Sequence, residues 1–349
     1  MIGVALLVTA PLAVFIRGIT QQRYRSAFTR IWMLRPFWYA QLLLPLLAIA
    51  GLLGAIGGAP FGMAGVIGRT AMAIAAVLLI AIGIWGFVGA HRLVIRPLEL
   101  AFDRLPEGLD GLRIAQVSDL HVGPHTSRRQ LGRIYGAIRD ARPDLIAITG
   151  DQVDDYAADV SHFVAAFGSL SAPLGVFAVP GNHDVYAGWD AVRAGLESAG
   201  LTVLVNESVE REHRGARLRV AGTGDPAGRS WRRGNAVNSG PDITRTLALT
   251  RPDEFTLVLA HNPALWPALA ARDVDLTLSG HTHHGQLSIP RIGWSLASPF
   301  LELAMGVHRR GTSVLYINPG TNYWGVPFRI GAWPEVTVIT LKRAVPASA

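Results

Sequence analysis

Cysteine is absent from this chain of 349 residues. Disulfides, thiolate nucleophiles and metal sites with sulfur ligands are therefore excluded. Any metal ion must be bound by Asp, Glu, Asn or His. Charge is also scarce, because 16% of the residues are Asp, Glu, Lys or Arg, against roughly 25% in soluble domains. Half of the chain is hydrophobic. This composition excludes a disordered or collagen-like chain and disfavours an ordinary soluble enzyme.

Acidic residues are missing from the first 98 residues, which contain eight arginines. Residues 99–349 contain 24 basic and 25 acidic residues, so the overall charge of +7 belongs to the apolar N-terminal part. The remainder of the chain has no basic surplus with which to release counterions from a nucleic acid. We therefore expect no nucleic-acid partner.

Long apolar runs predict a membrane region over residues 1–98 with about three transmembrane helices. Phe37–Gly68 and Thr70–Ala90 contain no charged residue, and each can supply the ~20 apolar residues that cross a bilayer as a helix. Met1–Ile16 is a shorter uncharged run, interpreted as a first span. A cleaved signal peptide is its alternative, although a basic n-region is lacking. A pair of buried core helices is the alternative for the longer runs, but core helices rarely stay uncharged for so long.

Basic residues follow the first and the third of these runs. They are Arg17, Arg23, Arg25, Arg30 and Arg35, and then His91, Arg92 and Arg96. Lys and Arg in short loops mark the cytoplasmic side, and the two intervening spans return the chain to the same side. The sequence therefore predicts a multi-pass protein of the cell inner membrane, with everything after Leu98 on the cytoplasmic face.

Residues 99–349 have the pattern of one catalytic α/β domain, because short β-branched or apolar runs alternate with helical periodicity. Strands are predicted at Leu112–Ser118, Leu145–Thr149, Val176–Pro180, Phe255–Ala260, Leu276–Ser279, Val314–Ile317 and Val336–Leu341, with a hairpin of Val203–Val209 and Leu218–Ala221. Helices are predicted from Ser127 to about Ala141 and at Val160–Leu170, Asp190–Ala199 and Pro263–Ala271. Ser127 and Gln130 have the spacing of a capping box.

Residues that can bind metal ions follow nearly every predicted strand of this domain. In chain order they are Asp119-x-His121, Asp151-x-x-Asp154, Asn182-His183-Asp184, His261 and His281-x-His283-His284. Ligands of open α/β sheets bind beyond the carboxyl ends of the strands, so we expect these side chains to meet. Each pattern alone is weak evidence, because turns and structural histidine clusters produce such patterns too. Their joint occurrence in this order favours a metal site.

The succession Asp-x-His, Gly-Asp-x-x-Asp, Gly-Asn-His-Asp, a lone His and Gly-His-x-His resembles the calcineurin-like metallophosphoesterases over roughly Leu112–Leu341. Gly-His-Thr-His-x-Gly-Gln and the late strand at Pro334-Glu335-Val336 resemble the membrane-anchored branch, some members of which look like UDP-2,3-diacylglucosamine hydrolases. The resemblance implies an α/β fold, a β-sandwich flanked by helices that follows the transmembrane helical region. His284 stands where that branch usually has Gly, and it has no assigned role.

This resemblance also implies two divalent metal ions bridged by Asp151. Asp119, His121 and His283 would complete the first site, and Asn182, His261 and His281 the second. His183 would protonate or stabilise the leaving oxygen, and Asp154 would orient it. Imidazole and carboxylate ligands without sulfur suit Mn, Fe, Zn or Co, and the sequence does not choose among them. Asp184 either supports this site or only shapes a turn.

These residues predict a metal-dependent phosphoric ester hydrolase, in which a metal-bound hydroxide attacks phosphorus in line. A membrane anchor favours a lipid-linked phosphodiester or pyrophosphate as substrate, and hence a role in lipid metabolism. One alternative is an anchored phosphodiesterase or phosphatase with broad specificity for soluble nucleotides. Another, of a different class, is a catalytically inactive membrane scaffold or sensor. The aromatic tract Tyr323-Trp324 with Phe328 either seats a nucleobase or an acyl chain or contributes to the core.

Overall fold

The computed structural model describes residues 2–20, 26–123, 126–229 and 239–344, with the side chains of residues 2–8 and 19 outside the described part. Its helices are α1 (Ile2–Thr20), α2 (Ala27–Thr29), α3 (Arg35–Gly58), α4 (Ala64–Ala90), α5 (Arg128–Asp140), α6 (Val160–Phe167), α7 (Asn182–Ser198), α8 (Ile243–Thr246) and α9 (Trp266–Ala270). Its strands are β1 (Val94–Phe102), β2 (Arg113–Val117), β3 (Leu145–Ile148), β4 (Val176–Ala178), β5 (Thr202–Val203), β6 (Glu207–His213), β7 (Ala216–Gly222), β8 (Phe255–Leu259), β9 (Leu276–Ser279), β10 (Ser288–Ile289), β11 (Trp294–Ser295), β12 (Gly306–Arg310), β13 (Ser313–Ile317) and β14 (Glu335–Arg343).

The chain divides into two compact units, Met1–Val88 with Gly325–Phe328, and Gly89–Trp324 with Arg329–Ala349. In the first unit, two helical stretches are long and apolar enough to cross a membrane, Ala27–Phe61 and α4. Only 6% of the most apolar window of each is buried, whereas a core helix of a soluble protein would be mostly covered. The alternative of two buried core helices is therefore not supported.

The two apolar helices are bounded differently from the predicted spans. α3 ends at Gly58, and Arg69 lies inside α4 instead of separating two spans. The chain turns at Pro60 and Gly62, where Gly62 adopts a left-handed conformation with φ +69°. An arginine near a helix end can extend its charge toward the membrane interface. The charged residue Arg69 therefore did not mark the boundary between the two apolar helices. The first predicted span coincides with α1, and its crossing of the membrane stays a prediction.

Small residues bring α3 and α4 together. A Cβ atom added to Gly54 would lie 2.6 Å from the Cβ of Ala71, and one added to Gly68 would lie 3.0 Å from the carbonyl oxygen of Gly51. Close approach through small side chains is the usual packing of helices in a bilayer, where no hydrophobic effect drives helix association. The hydroxyl of Tyr39 donates a hydrogen bond to the carbonyl of Pro327 within the same unit, at 2.9 Å.

Two six-stranded sheets form the second unit. One has the strand order β1-β14-β2-β3-β4-β5 and the other the order β12-β13-β9-β8-β7-β6, while β10 and β11 pair separately. Strands β2, β3 and β4 are mutually parallel, and so are β7, β8, β9 and β13. The carboxyl ends of these seven strands therefore lie along one edge of each sheet.

Alternation along the strands separates an inner layer from two outer layers. Ile114 of β2 and Leu257 of β8 are buried in the core between the sheets. Ala115 of β2 packs with α5, α6 and α7 on the outer face of the first sheet, and Val258 of β8 packs with Leu269 of α9 on the outer face of the second. Successive strand residues point to opposite faces, so nearly continuous apolar strands are buried on both sides. The predicted α/β sandwich flanked by helices is confirmed.

One local prediction was wrong in part, and two segments of secondary structure were not predicted. Val203 belongs to β5 of the first sheet, and the hairpin consists of β6 and β7, which meet at Arg214 and Gly215, both with positive φ. Helix α7 is kinked at Gly188, which has φ +120°, and the helix predicted at Asp190–Ala199 corresponds to its second part. The first part was not predicted, because the turn-like Gly-Asn-His-Asp segment forms its first turn. Strand β1 was not predicted, since Pro97 interrupts its pattern. It pairs in parallel with β14 at the edge of the sheet, where a proline is tolerated.

Candidate metal centre

Polar residues from both sheets meet beyond the carboxyl ends of their parallel strands. Asp119 and His121 follow β2, Asp151 follows β3, and Asn182 follows β4 in the first sheet. His261 follows β8, and His281 and His283 follow β9 in the second sheet. Each of the seven predicted ligands has a donor atom within 3.7 Å of a donor atom of another. The structure therefore brings all of them together.

One cluster of donor atoms contains Asp119, His121 and His283. The Nε2 atom of His283 lies 3.1 Å from Nε2 of His121 and 3.3 Å from Oδ1 of Asp119. All three residues are buried. Donor atoms about 2.0–2.2 Å from a common ion lie roughly 3–3.5 Å from one another, so this cluster has the spacing of a metal site.

A second cluster contains Asn182, His261 and His281. The Oδ1 atom of Asn182 lies 3.2 Å from Nε2 of His261 and 2.9 Å from Nδ1 of His281. Asp151 lies between the clusters, because its Oδ2 atom is 3.3 Å from Nε2 of His261 and 3.7 Å from Nε2 of His121. A carboxylate in this position can bind an ion on each side.

Left-handed backbone conformations are concentrated in these loops. Non-glycine residues with positive φ include Asp119, His121, Asp151, His281, His283, His284 and Gln286. Such conformations are uncommon outside glycine and cost free energy. Such conformations persist where tertiary contacts stabilise them. Here they orient carboxylates and imidazoles of the loops toward the two clusters.

Two glycines of the sequence motifs permit close approach of the backbone. A Cβ atom at Gly181 would overlap the carboxylate of Asp151, and one at Gly280 would overlap the side chains of Ser118 and Asp119. Both contacts involve candidate ligands or their immediate neighbours. These motifs therefore require glycine for space rather than for a turn conformation, since neither residue has positive φ.

Hydrogen bonds from the surrounding chain orient the candidate ligands. Nδ1 of His261 donates to the carbonyl of Thr149 at 2.8 Å, which leaves Nε2 for the cluster. The backbone N–H of His183 donates to Oδ1 of Asp151 at 2.8 Å, from the first turn of α7. Partners of this kind fix the orientation and tautomer of metal ligands.

Asp154 lies near His183, but its carboxylate faces another residue. Nδ1 of His183 is 3.0 Å from the backbone carbonyl of Asp154, whereas the Asp154 carboxylate is 3.4 Å from Nδ1 of His121. A carbonyl only accepts, so Nδ1 of His183 carries the proton of this hydrogen bond. Asp154 thus contacts His183 through its main chain and His121 through its side chain.

Asp184 and His284, which had no settled role, both have structural partners. The Asp184 carboxylate accepts hydrogen bonds from the backbone N–H groups of Gly181 and Val153, at 2.8 and 3.1 Å, and so holds the start of α7. Nε2 of His284 lies 3.1 Å from the carbonyl of Ile317. His284 is buried, and its Nε2 atom faces this carbonyl and belongs to neither cluster of donor atoms.

The electrostatic balance of the centre suits cation binding. Burial would raise the pKa of Asp151, but the neighbouring imidazoles, that of His261 foremost, outweigh it and hold the pKa well below its usual value. Burial lowers the pKa of His281 to about 4 and that of His283 well below its usual value. Metal binding requires deprotonated carboxylates and neutral imidazoles, and the pKa values of these three groups are shifted toward that form. Burial raises the pKa of Asp119, and neighbouring carboxylates outweigh burial and raise the pKa values of His121 and His261, so metal ions would displace protons from these three ligands.

Two buried residues at this edge were not predicted. Asp225 follows β7, and burial raises its pKa to about 6. In the sequence Gly222-Thr223-Gly224-Asp225, an acidic residue follows a strand, as at the other strand ends. Asp225 could therefore have been predicted from the same pattern. The guanidinium of Arg329 lies 2.7 Å from Nδ1 of His283, and it donates hydrogen bonds to the carbonyls of Pro319, Asn322 and Ala332. No local pattern marks an arginine that is buried by the fold.

The chain is similar to known proteins over most of its length. A model of the family described as calcineurin-like phosphoesterase matches residues 112–285. The transmembrane protein with metallophosphoesterase domain of Danio rerio is 32% identical over 282 residues, which cover 78% of this chain and 62% of that protein. The protein of the same name in Bos taurus is 33% identical over 262 residues, which cover 72% and 57%. The matched region therefore spans less than two thirds of these two relatives.

A bacterial relative is matched over nearly its whole length. The uncharacterized metallophosphoesterase YkuE of Bacillus subtilis (strain 168) is 30% identical over 279 residues, which cover 77% of this chain and 94% of that protein. This match includes sequence outside residues 112–285, since it is longer than that segment.

Proposed function

Because the chain belongs to the calcineurin-like metallophosphoesterase family, as its sequence predicts, we propose that it hydrolyses a phosphodiester or pyrophosphate at a dinuclear metal centre. Its family places it among the metal-dependent phosphoric ester hydrolases. The observation that carries the proposal is the position of Asp151, whose Oδ2 atom lies within 3.7 Å of a donor nitrogen in each cluster.

The residues fit two divalent ions. Asp119, His121 and His283 with one side of Asp151 would hold the first ion, and Asn182, His261 and His281 with the other side would hold the second. Nitrogen and oxygen donors without sulfur suit Mn, Fe, Zn or Co. When bound, such a pair supplies an acidified water and positive charge for the phosphoryl oxygens.

His183 is the proposed proton donor to the leaving oxygen. Its Nδ1 atom donates to the Asp154 carbonyl, so Nε2 holds a proton against the substrate only when the ring is doubly protonated. Burial lowers the pKa of His183 and opposes this form, while the nearby Asp151 carboxylate favours it. A positioned acid of this kind contributes on the order of 10²–10⁴ to the rate. The backbone carbonyl of Asp154 fixes the ring, which refines the predicted role of that residue as the group that orients His183.

The apolar helices support a substrate at the membrane. Two described helical stretches can cross a bilayer, and an anchor restricts diffusion without benefit unless the substrate is also at the membrane. A lipid-linked phosphodiester or pyrophosphate, such as UDP-2,3-diacylglucosamine, is therefore the favoured substrate class.

The decisive experiment compares hydrolysis of a lipid-linked substrate with hydrolysis of a soluble substrate that has the same headgroup. The full chain, reconstituted in vesicles with Mn²⁺, is assayed on a lipid-linked pyrophosphate and on the soluble nucleotide that shares its headgroup. We expect a higher kcat/KM on the lipid-linked compound, and no turnover by the Asp151→Asn variant. Equal kcat/KM on both compounds would contradict the lipid-linked proposal and favour the broad nucleotide phosphodiesterase. No turnover of either compound by the wild type would contradict the hydrolase.

The basic segments support a catalytic unit on the cytoplasmic face of the inner membrane. The chain contains no cysteine, so single cysteines can report the side directly. A Ser171→Cys variant places a thiol on the exposed surface of the catalytic unit, and Phe61→Cys places one in the turn between α3 and α4. We expect a membrane-impermeant thiol reagent to label intact spheroplasts at position 61 but not at position 171. The reverse pattern would contradict the orientation.

A further inference from the structure

Two half-exposed aromatic rings stand beside His183. The ring centroid of Tyr186 lies 5.8 Å from that of His183, and the ring centroid of Trp324 lies 5.6 Å from it. Tyr186 is 44% exposed and Trp324 is 47% exposed. Tyr323, the neighbouring member of the aromatic tract, is buried. Tyr323 therefore contributes to the core, whereas Trp324 lies on the surface beside His183.

The backbone of each aromatic residue is positioned by its surroundings. Tyr186 lies one turn after His183 on α7, a spacing at which side chains are neighbours on a helix. The main chain of Trp324 is fixed at both of its polar groups by the side chain of Gln286, whose amide donates to the Trp324 carbonyl and accepts from the Trp324 N–H, each at 3.1 Å. Gln286 follows the Gly-His-Thr-His motif, so the loop that carries His281 and His283 also positions the main chain of Trp324.

We propose that Tyr186 and Trp324 form a subsite for the leaving group of the substrate. The subsite would bind a planar ring carried by the leaving group, next to the oxygen that His183 would protonate. This inference rests on the proposed function, because it uses His183 as the group that faces the leaving oxygen. Both ring centroids lie within 6 Å of the His183 ring centroid, so a group bonded to that oxygen would be directed toward the two rings. Two rigid rings lose little conformational entropy on binding and favour a planar partner by offset or edge contact.

The chemistry of the subsite also distinguishes it from an acyl-chain site. A flexible chain is best received by flexible aliphatic side chains, whereas Tyr186 and Trp324 present aromatic rings beside His183. The proposed substrate would thus carry its lipid on the phosphoryl group that is transferred to water and its planar ring on the leaving side.

The test uses three phosphodiesters that share one lipid ester and differ in the other. Benzyl, cyclohexylmethyl and methyl groups are compared, because the first two have a similar size but only benzyl is flat. The full chain in detergent with Mn²⁺ should hydrolyse the benzyl ester with a kcat/KM about 3- to 10-fold above that of the cyclohexylmethyl ester, as expected for one or two aromatic contacts. Trp324→Ala and Tyr186→Ala should each remove most of this preference, mainly through KM, with metal content unchanged.

Matched controls separate the subsite from general damage. Trp324→Phe and Tyr186→Phe should retain most of the preference, since each keeps a flat ring. Phe300→Ala removes a ring that is 81% exposed elsewhere on the catalytic unit, and it should leave the ratio unchanged. Variants that slow all three esters by the same factor would overturn the subsite, as would a wild type that does not distinguish benzyl from cyclohexylmethyl, while the proposed hydrolase would stand. Failure of the wild type on all three esters would overturn the subsite, and the assay on the lipid-linked pyrophosphate would then decide separately whether the hydrolase stands.

Discussion

The Nε2 atoms of His121 and His283 lie 3.1 Å apart although 162 positions separate the two residues in the chain. Their rings are stacked with an interplanar angle of 27°, and Nε2 of His283 also faces Asp119 at 3.3 Å. Two imidazole nitrogens and a carboxylate oxygen at such spacing are best satisfied by a shared cation. Each of these histidines belongs to one donor cluster, so mutation of one histidine should affect the binding of one metal ion and not of both.

His283→Ala and His281→Ala should each lower the bound metal from about two ions to about one per chain, because each removes a ligand that belongs to one cluster. Elemental analysis of the purified, dialysed variants gives the stoichiometry. Phosphoester hydrolysis should fall in both. Full retention of two ions in either variant would contradict the assignment of that histidine.

His183→Ala should slow hydrolysis by on the order of 10²–10⁴ through loss of the proton donor, while two metal ions remain bound. The measurement is kcat with metal content determined on the same sample. His162→Ala, at a histidine whose side chain is 66% exposed, is the matched control and should have wild-type activity. Loss of a metal ion in His183→Ala would show that this residue is a ligand and not the acid.

Arg329→Met should destabilise the catalytic unit by about 3–5 kcal/mol, the cost of leaving buried groups without their charged partner. The guanidinium is fully buried, donates to three main-chain carbonyls and lies next to His283. Arg329→Lys should rescue little, because one ammonium cannot replace the planar fork. The melting temperature of the metal-free chain gives the result. Arg139→Met removes an exposed arginine and should not change it.

Asp225 should make the metal-free chain less stable as the pH rises. Burial raises its pKa to about 6 in the folded state, against about 3.9 for an unfolded aspartate. Between these values the folded state keeps a proton that the unfolded state has released, so stability is lost as the pH rises through this window. The shift corresponds to about 2–3 kcal/mol.

Asp225→Asn removes this titration and keeps the amide oxygen that can accept from Ala227, as Oδ1 of Asp225 does at 2.8 Å. The melting temperature of the wild type, relative to that of Asp225→Asn, should therefore fall between pH 4 and pH 7 after chelation of metal. A difference that stays constant, or that grows with pH, would contradict the raised pKa.

Strand ends were predictable because their chemistry repeats along the chain. Asp119, Asp151 and His261 each follow a short apolar run, and the runs are parallel neighbours in the sheets. Seven side chains from five distant segments could therefore be assigned to one place from sequence. Their distances could not, because the turns depend on left-handed conformations that ligand-type residues rarely adopt.

Residues that act through tertiary burial were not predictable. Arg329 lies twelve positions beyond the end of β13, in a segment without periodicity, and only the fold brings it to His283. His284 is a similar case, since its Ile317 partner is distant in sequence and the motif alone places it among ligands. Pro97 hid strand β1 because the sequence does not reveal that the strand lies at an edge.

Metal stoichiometry in the Asp151→Asn variant tests most directly whether Asp151 would bind two metal ions at once, as proposed. Wild-type chain loaded with Mn²⁺ and freed of excess metal should contain about two ions, whereas Asp151→Asn, folded as shown by an unchanged circular dichroism spectrum, should contain fewer than one and hydrolyse no phosphoester. An Asp151→Asn protein that keeps two ions and near wild-type turnover would contradict the account.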